Sequence, residues 1–189
     1  INISADRLAQ NIKVLASDEF EGRSPASPGE EKTINFLKTE FEKLGLKPGN
    51  GDSYFQGVSM VEITASPDAV MSLATASGVI SLEYGPGFMG WTKRVQEKVS
   101  VTDSEMIFVG YGIVAPEYGW NDYEDIDVKG KTVVVLVNDP GFATQNPELF
   151  TGNAMTYYGR WTYKFEEAAR QGADAVIIVH ETKPAAYPW

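Results

Sequence analysis

The hydrophobic pattern of this chain changes period several times, and each change marks an element. Near the start, Leu8, Ile12 and Leu15 recur at helical intervals. With Ser4 placed to cap and Asp6 in the positive first turn, they predict an amphipathic helix over residues 4–16. Residues 18–28 (DEFEGRSPASP) read as loop, broken by Gly22, Pro25 and Pro28. A second helix then opens on a full set of start signals: Ser27 as cap, Pro28 at the first helical position and Glu30 completing a capping box. Its stripe of Ile34, Leu37, Phe41 and Leu44 is expected to be buried. Gly45 supplies a left-handed stop, and Leu46 can fold back on Phe41 in a Schellman arrangement. Turn residues over 47–56 lead to a strand expected at residues 57–63.

Residues 64–68 (TASPD) read as a boundary, and beyond them the spacing becomes that of short strands. Residues 70–76 and 79–84, divided by Ser77 and Gly78, resemble a hairpin that ends at Gly85-Pro86-Gly87. A weak strand is expected over 95–101. A stronger one over 106–114 is interrupted by Gly110 and Gly112, the mark of a bulge or a close backbone approach. Residues 132–137 are continuously apolar, as in a strand covered on both faces, and Asp139-Pro140-Gly141 closes them as a turn. An irregular stretch over 142–158 precedes a helix at 160–171, stopped by Gly172, and residues 175–179 form a second apolar run. Two such runs linked through a helix imply parallel pairing.

Composition narrows the function classes. In 189 residues there are 16 basic and 26 acidic side chains, a formal net charge of −10. Such a surface repels phosphate backbones, so no nucleic-acid partner is expected; Lys93, Arg94 and Lys98 read as a solvated loop. No stretch reaches the roughly 18 apolar residues of a membrane span. The absence of cysteine excludes disulfides, thiolate zinc sites and cysteine nucleophiles in these residues.

Catalytic constellations are missing as well. His180 is the single histidine, with no H-E-x-x-H and no H-x-D, so a zinc site and a Ser-His type triad are both unsupported; the expected role of His180 is to cap its strand. Glu117, Asp122, Glu124, Asp125 and Asp127 crowd one loop. A glycosidase pair could be drawn from them, but a solvated acidic loop is the simpler reading. Gly110-x-Gly112 lacks the third glycine and the helix of a dinucleotide site. The aromatics carry more. The helix at 160–171 is expected to bury Trp161, Phe165, Ala168 and Ala169. The remaining residues, Trp120, Tyr123, Tyr157, Tyr158, Arg160 and His180, form the candidate peptide-binding or domain-interface surface.

Two blocks also carry a family likeness. LASDEFEGRSPASPGEEKTINFLKTEFEKLGLKPG (residues 15–49) resembles the opening of an M28-type zinc aminopeptidase domain. FVGYGIVAPEYGWNDYEDIDVKGKTVVVLVNDPGF (108–142) and AMTYYGRWTYKFEEAARQGADAVIIVHE (154–181) resemble the protease-associated domain inserted in such enzymes. The resemblance implies two helices and a strand from an incomplete peptidase domain at residues 1–64. Residues 65–189 would follow as an α/β, mixed α+β, protease-associated domain with a β-rich open-barrel or sandwich sheet and flanking helices. It implies a periplasmic or secreted protein whose zinc is held elsewhere, with no cofactor, catalytic residue or metal ligand in this chain. The sequence stops soon after the second apolar strand, so the expectation is part of a longer protein. The expected partners are the rest of the peptidase domain and peptide substrates, together with self-association through the apolar faces of the first two helices. A stand-alone peptide- or protein-binding module is the alternative.

Overall fold

The computed structural model describes residues 4–66 and 68–189. Over these residues it is a mixed α/β chain with several helices and three small sheets. It divides into two compact units, Ile1–Val95 and Gln96–Trp189. Pro67, inside the boundary read at residues 64–68, lies outside the described residues.

In the first unit, α1 (Ala5–Leu15) begins where expected, with Ser4 Oγ accepting the Arg7 amide at 3.3 Å. Its apolar face is open: Leu8 and Ile12 are each 57% exposed. The segment read as loop at 18–28 instead coils into a 3-10 turn, Asp18–Arg23. The turn forms because Phe20 finds an apolar partner in Phe36, packing edge-on with centroids 6.1 Å apart. This packing brings Phe20 O so close to Gly29 that an added Cβ would lie 2.3 Å from it. Lys32 Nζ also donates to Glu19 O at 2.7 Å, tying the turn to α2 (Pro28–Lys43).

Both ends of α2 follow the sequence closely. Ser27 Oγ accepts the Glu30 amide at 3.3 Å, and the Glu30 carboxylate accepts the Ala26 amide. At the far end Gly45 has φ 72°, with Leu46 N donating to Phe41 O at 3.0 Å and Gly45 N to Glu42 O at 2.9 Å. That pair of bonds is the Schellman motif. The stripe behaves differently, since Leu37, Phe41 and Leu44 are exposed where burial was expected. Cap chemistry is local, whereas burial needs a second surface.

The same distinction decides the strands. β1 (Val70–Thr75) and β2 (Gly78–Glu83) pair antiparallel as the expected hairpin, with Thr75 opposite Gly78. They can do so because each supplies the other's ladder. Residues 57–63 and 95–101 form no strand. Most of their apolar residues stand in solvent, Val58 at 71% exposure, and without a neighbouring ladder the backbone gains nothing from a regular strand.

The second unit is built on a parallel sheet in the order β3 (Met106–Phe108), β6 (Thr132–Leu136), β7 (Ala175–Val179). Ile107 pairs with Val133, and Val133 with Val176. The expected parallel pairing of the two apolar runs is therefore present. Ile107, Val133, Val135, Val176 and Ile178 pack with Val109, Tyr123, Val128 and Ala168 as one core cluster. Ala168 comes from α4 (Trp161–Arg170). A second cluster gathers Ile113, Ala115, Phe150 and Tyr163.

The run expected over 106–114 breaks at its glycines. After β3 the chain turns through Gly110 and Gly112, then resumes as β4 (Val114–Ala115), paired antiparallel with β5 (Trp120–Asn121). Leu136 N donates to Gly110 O at 2.9 Å, so β6 follows the turn. Asp139-Pro140-Gly141 also does more than turn. It starts α3 (Pro140–Thr144), with Asp139 as cap, because the side chain accepts the Gly141 amide. A last short helix, α5 (Thr182–Ala185), follows β7.

Gly112 has φ 64°, and a Cβ there would sit 2.7 Å from Val135 Cγ1 in the core. Gly112→Ala therefore combines left-handed strain with overpacking, and the expected loss of stability is about 2–4 kcal/mol. Urea denaturation followed by tryptophan fluorescence reads it; a loss below about 1 kcal/mol would show that the turn relaxes freely.

Candidate functional site

The carboxyl ends of the parallel strands are where an α/β sheet usually exposes binding groups. Here they are drawn together by α4, whose inner face differs from the one the spacing suggests. Tyr163, Lys164, Glu167 and Ala168 are buried, whereas Trp161 and Phe165 are half-buried and Ala169 is exposed. The expected apolar face of Trp161, Phe165, Ala168 and Ala169 is thus rotated. The reason lies opposite: the strand ends leave backbone carbonyls that need donors, and only the polar residues of α4 provide them.

Lys164 is 0% exposed, and its Nζ donates to Tyr111 O at 2.6 Å and to Asn138 O at 2.8 Å. Burial lowers its pKa to about 7, against the opposing pull of Asp122 and Asp139. Asp122 Oδ2 accepts the Tyr111 and Ile113 amides at 3.1 and 3.0 Å, fastening the glycine turn. Asp139, also 0% exposed, accepts Thr156 N at 2.9 Å and Thr156 Oγ1 at 2.7 Å through Oδ2.

Asn138 joins these groups in a left-handed conformation, φ 70°. Its amide donates to Gly159 O at 3.2 Å, its Oδ1 accepts Asp139 N at 2.8 Å, and its Nδ2 donates to Pro184 O at 2.8 Å. One residue therefore links the end of β6 to α4, to the segment before α4 and to α5. Further along α4, Tyr163 OH bonds to the Val114 backbone, and Glu167 accepts from Arg170 and Gln171. Burial raises the pKa of both Tyr163 and Tyr111, the latter with help from Glu181, Asp139 and Asp122. The acids and the amine of this knot are all occupied internally, so it holds and orients loops.

The six residues singled out as a surface are distributed over three places. Trp120, on β5, meets Phe150 edge-on at 5.7 Å, and Tyr158 meets the same ring at 5.8 Å. The half-buried Tyr158 donates to Glu117 Oε1 at 2.5 Å, and this bond raises its pKa to about 12. Tyr157 is exposed and donates to Glu166 Oε2 at 3.0 Å. Exposed Arg160 stands at the cap position of α4. Tyr123 lies inside, 5% exposed, in the sheet core. His180 directly follows β7, its Nε2 lying 3.1 Å from Tyr187 O and its ring against those of Trp161, Tyr187 and Trp189. Trp120 Nε1, Tyr123 OH and His180 Nδ1 are buried with no hydrogen-bond partner among the described residues.

Of the predicted set, the structure brings together Trp120, Tyr157 and Tyr158 through the rings of Phe150 and Tyr163. Lys164, Asn138, Asp139 and the binding role of Asp122 were not read from the sequence. The spacing gave no signal for them: Trp161, Phe165, Ala168 and Ala169 lie on one helical stripe, and only Tyr163 falls opposite it. Among the described residues no group of three or more His, Cys, Asp and Glu side chains could hold a metal ion, and no helix is long and apolar enough to cross a membrane.

Replacing Asn138 by alanine removes two buried hydrogen bonds and leaves a Cβ in the left-handed region, for an expected loss of about 2–4 kcal/mol. Asn138→Gly should recover only the backbone part, as chemical denaturation of the two variants will read; equal losses would assign the cost to hydrogen bonding alone. Comparison with protein-family models, with curated proteins and with solved structures finds no match to this chain.

Proposed function

We propose that this chain is the accessory, non-catalytic region of a zinc-dependent aminopeptidase that removes N-terminal residues from peptides in the periplasm or outside the cell. On this reading residues 65–189 are a protease-associated domain, with an open-barrel or sandwich sheet, that overhangs the catalytic cleft and governs peptide entry. Residues 1–64 belong to the peptidase domain. The observation that carries the reading is the knot around Lys164 and Asn138. Its two acids and its buried amine are spent mainly on backbone groups, which suits a rigid rim and leaves no free acid–base pair there. The sequence blocks at 15–49, 108–142 and 154–181 support the same assignment.

The residues present do not fit a zinc ion. The one imidazole packs edge-on or tilted against Trp161, Tyr187 and Trp189, and among the described residues no carboxylate cluster accompanies it, so no step of hydrolysis is drawn through these side chains. A second reading, a stand-alone peptide- or protein-binding module, is favoured by the Tyr157–Glu166 and Tyr158–Glu117 pairs at the surface. Such aromatic and acidic groups suit a basic peptide.

The chain, supplied with zinc and a short peptide, is expected to release no free amino acid above the buffer rate. Turnover would overturn the accessory role. The reading frame beyond Trp189 separates the two readings: an H-x-D motif followed by acidic ligands is expected for the peptidase, and a stop codon there would favour the module.

A further inference from the structure

Lys164 is a cation held where a cation is poorly served. An ammonium carries three N–H groups and a neutral amine two. The site offers two acceptors, Tyr111 O and Asn138 O, and among the described residues no carboxylate lies within ion-pair distance. The third proton of an ammonium would meet only the face of the Tyr111 ring, whose centroid is 5.8 Å from Nζ. That contact is weaker than a hydrogen bond to a carbonyl.

The titratable groups around Lys164 are already committed. Asp122 is turned to the amides of residues 111 and 113, and Asp139 to Gly141 and Thr156. On α4 itself, Glu167 is paired with Arg170 and Tyr163 with Val114, and Arg160 is exposed at the cap. Glu181 acts on the Tyr111 hydroxyl. None of them supplies a third acceptor.

We infer that the Lys164 contact is a proton-operated latch. As a neutral amine it joins the Tyr111 turn to the Asn138 corner without burying a charge; as an ammonium its two bonds are individually stronger, but the buried charge favours opening of the joint. The joint reaches the surface, because Asn138 N donates to Gly159 O and Asp139 holds Thr156, the residues on either side of Tyr157 and Tyr158. Protonation therefore changes how firmly that aromatic rim is held. This goes beyond the accessory role and does not depend on it.

The direction follows from linkage. Burial places the folded-state pKa near 7, below that of an unfolded lysine. Between about 7 and about 10.4 the unfolded chain binds more protons, so stability rises with pH across that window. The loss as pH falls is complete at and below the folded value.

Lysine side-chain NMR on the whole chain tests this without any substitution. One resonance, missing in Lys164→Met, is expected to titrate near neutrality, while the other lysines titrate near about 10.4. Hydrogen exchange supplies the second readout. After correction for intrinsic rates, protection of the Tyr111, Ile113 and Asp139 amides should fall roughly tenfold from about pH 8.5 to about pH 5.5 in the wild type, and stay level in Lys164→Met. A Lys164 resonance that stays charged at about pH 9 overturns the latch. So does a titrating Lys164 with unchanged protection at those amides. If Lys164→Met does not fold, the wild-type measurements decide alone.

Discussion

The second unit depends on one constraint: the strand ends of a parallel sheet carry backbone groups that must be bonded once water is excluded. An unpaired buried carbonyl or amide costs about 1–3 kcal/mol, enough for a few of them to consume the stability of a small domain. Lys164, Asn138, Asp122 and Asp139 meet that demand together. Their arrangement explains why α4 turns a lysine inward, and why the chain after β6 enters α3 through an aspartate cap. It also explains how the irregular stretch before α4 is fixed in place, since Thr156 and Gly159 are both tied to residues 138 and 139.

That economy bears on function. A buried acid held by two amides cannot serve as a free base, and an amine donating to two carbonyls inside the protein cannot reach a substrate. The unit's polar chemistry is directed inward, while the aromatic rim at Tyr157 and Tyr158 remains partly open. A firmly held, aromatic-edged α/β unit suits a role in covering or guiding. The Lys164 amine adds a means by which protons could tune that firmness.

The first unit shows the opposite balance. α1 and α2 have sound caps, yet Leu8, Ile12, Leu37 and Phe41 remain exposed, and residues 57–63 join no ladder. Helices are stabilised locally by caps and propensity, so they can be complete while their apolar faces are not. A strand has no such independence. The hairpin of β1 and β2 forms because its partner is adjacent in sequence.

By itself, then, the sequence determined what short range decides: both caps of α2, the hairpin, the two apolar strands and the glycine turn at 110–112. Its lack of cysteine also excludes disulfides and thiolate ligands within these residues. Only the tertiary structure decided which face of α4 is buried and that Lys164, Asn138 and Asp139 meet. It likewise decided that Tyr123 is core while Tyr157 is surface. Those outcomes depend on bonds between residues far apart in the chain, from Tyr111 to Lys164 and from Asn138 to Pro184. Burial of a polar side chain is settled by which unpaired backbone groups the fold sets opposite it, and hydrophobic spacing carries no information about them.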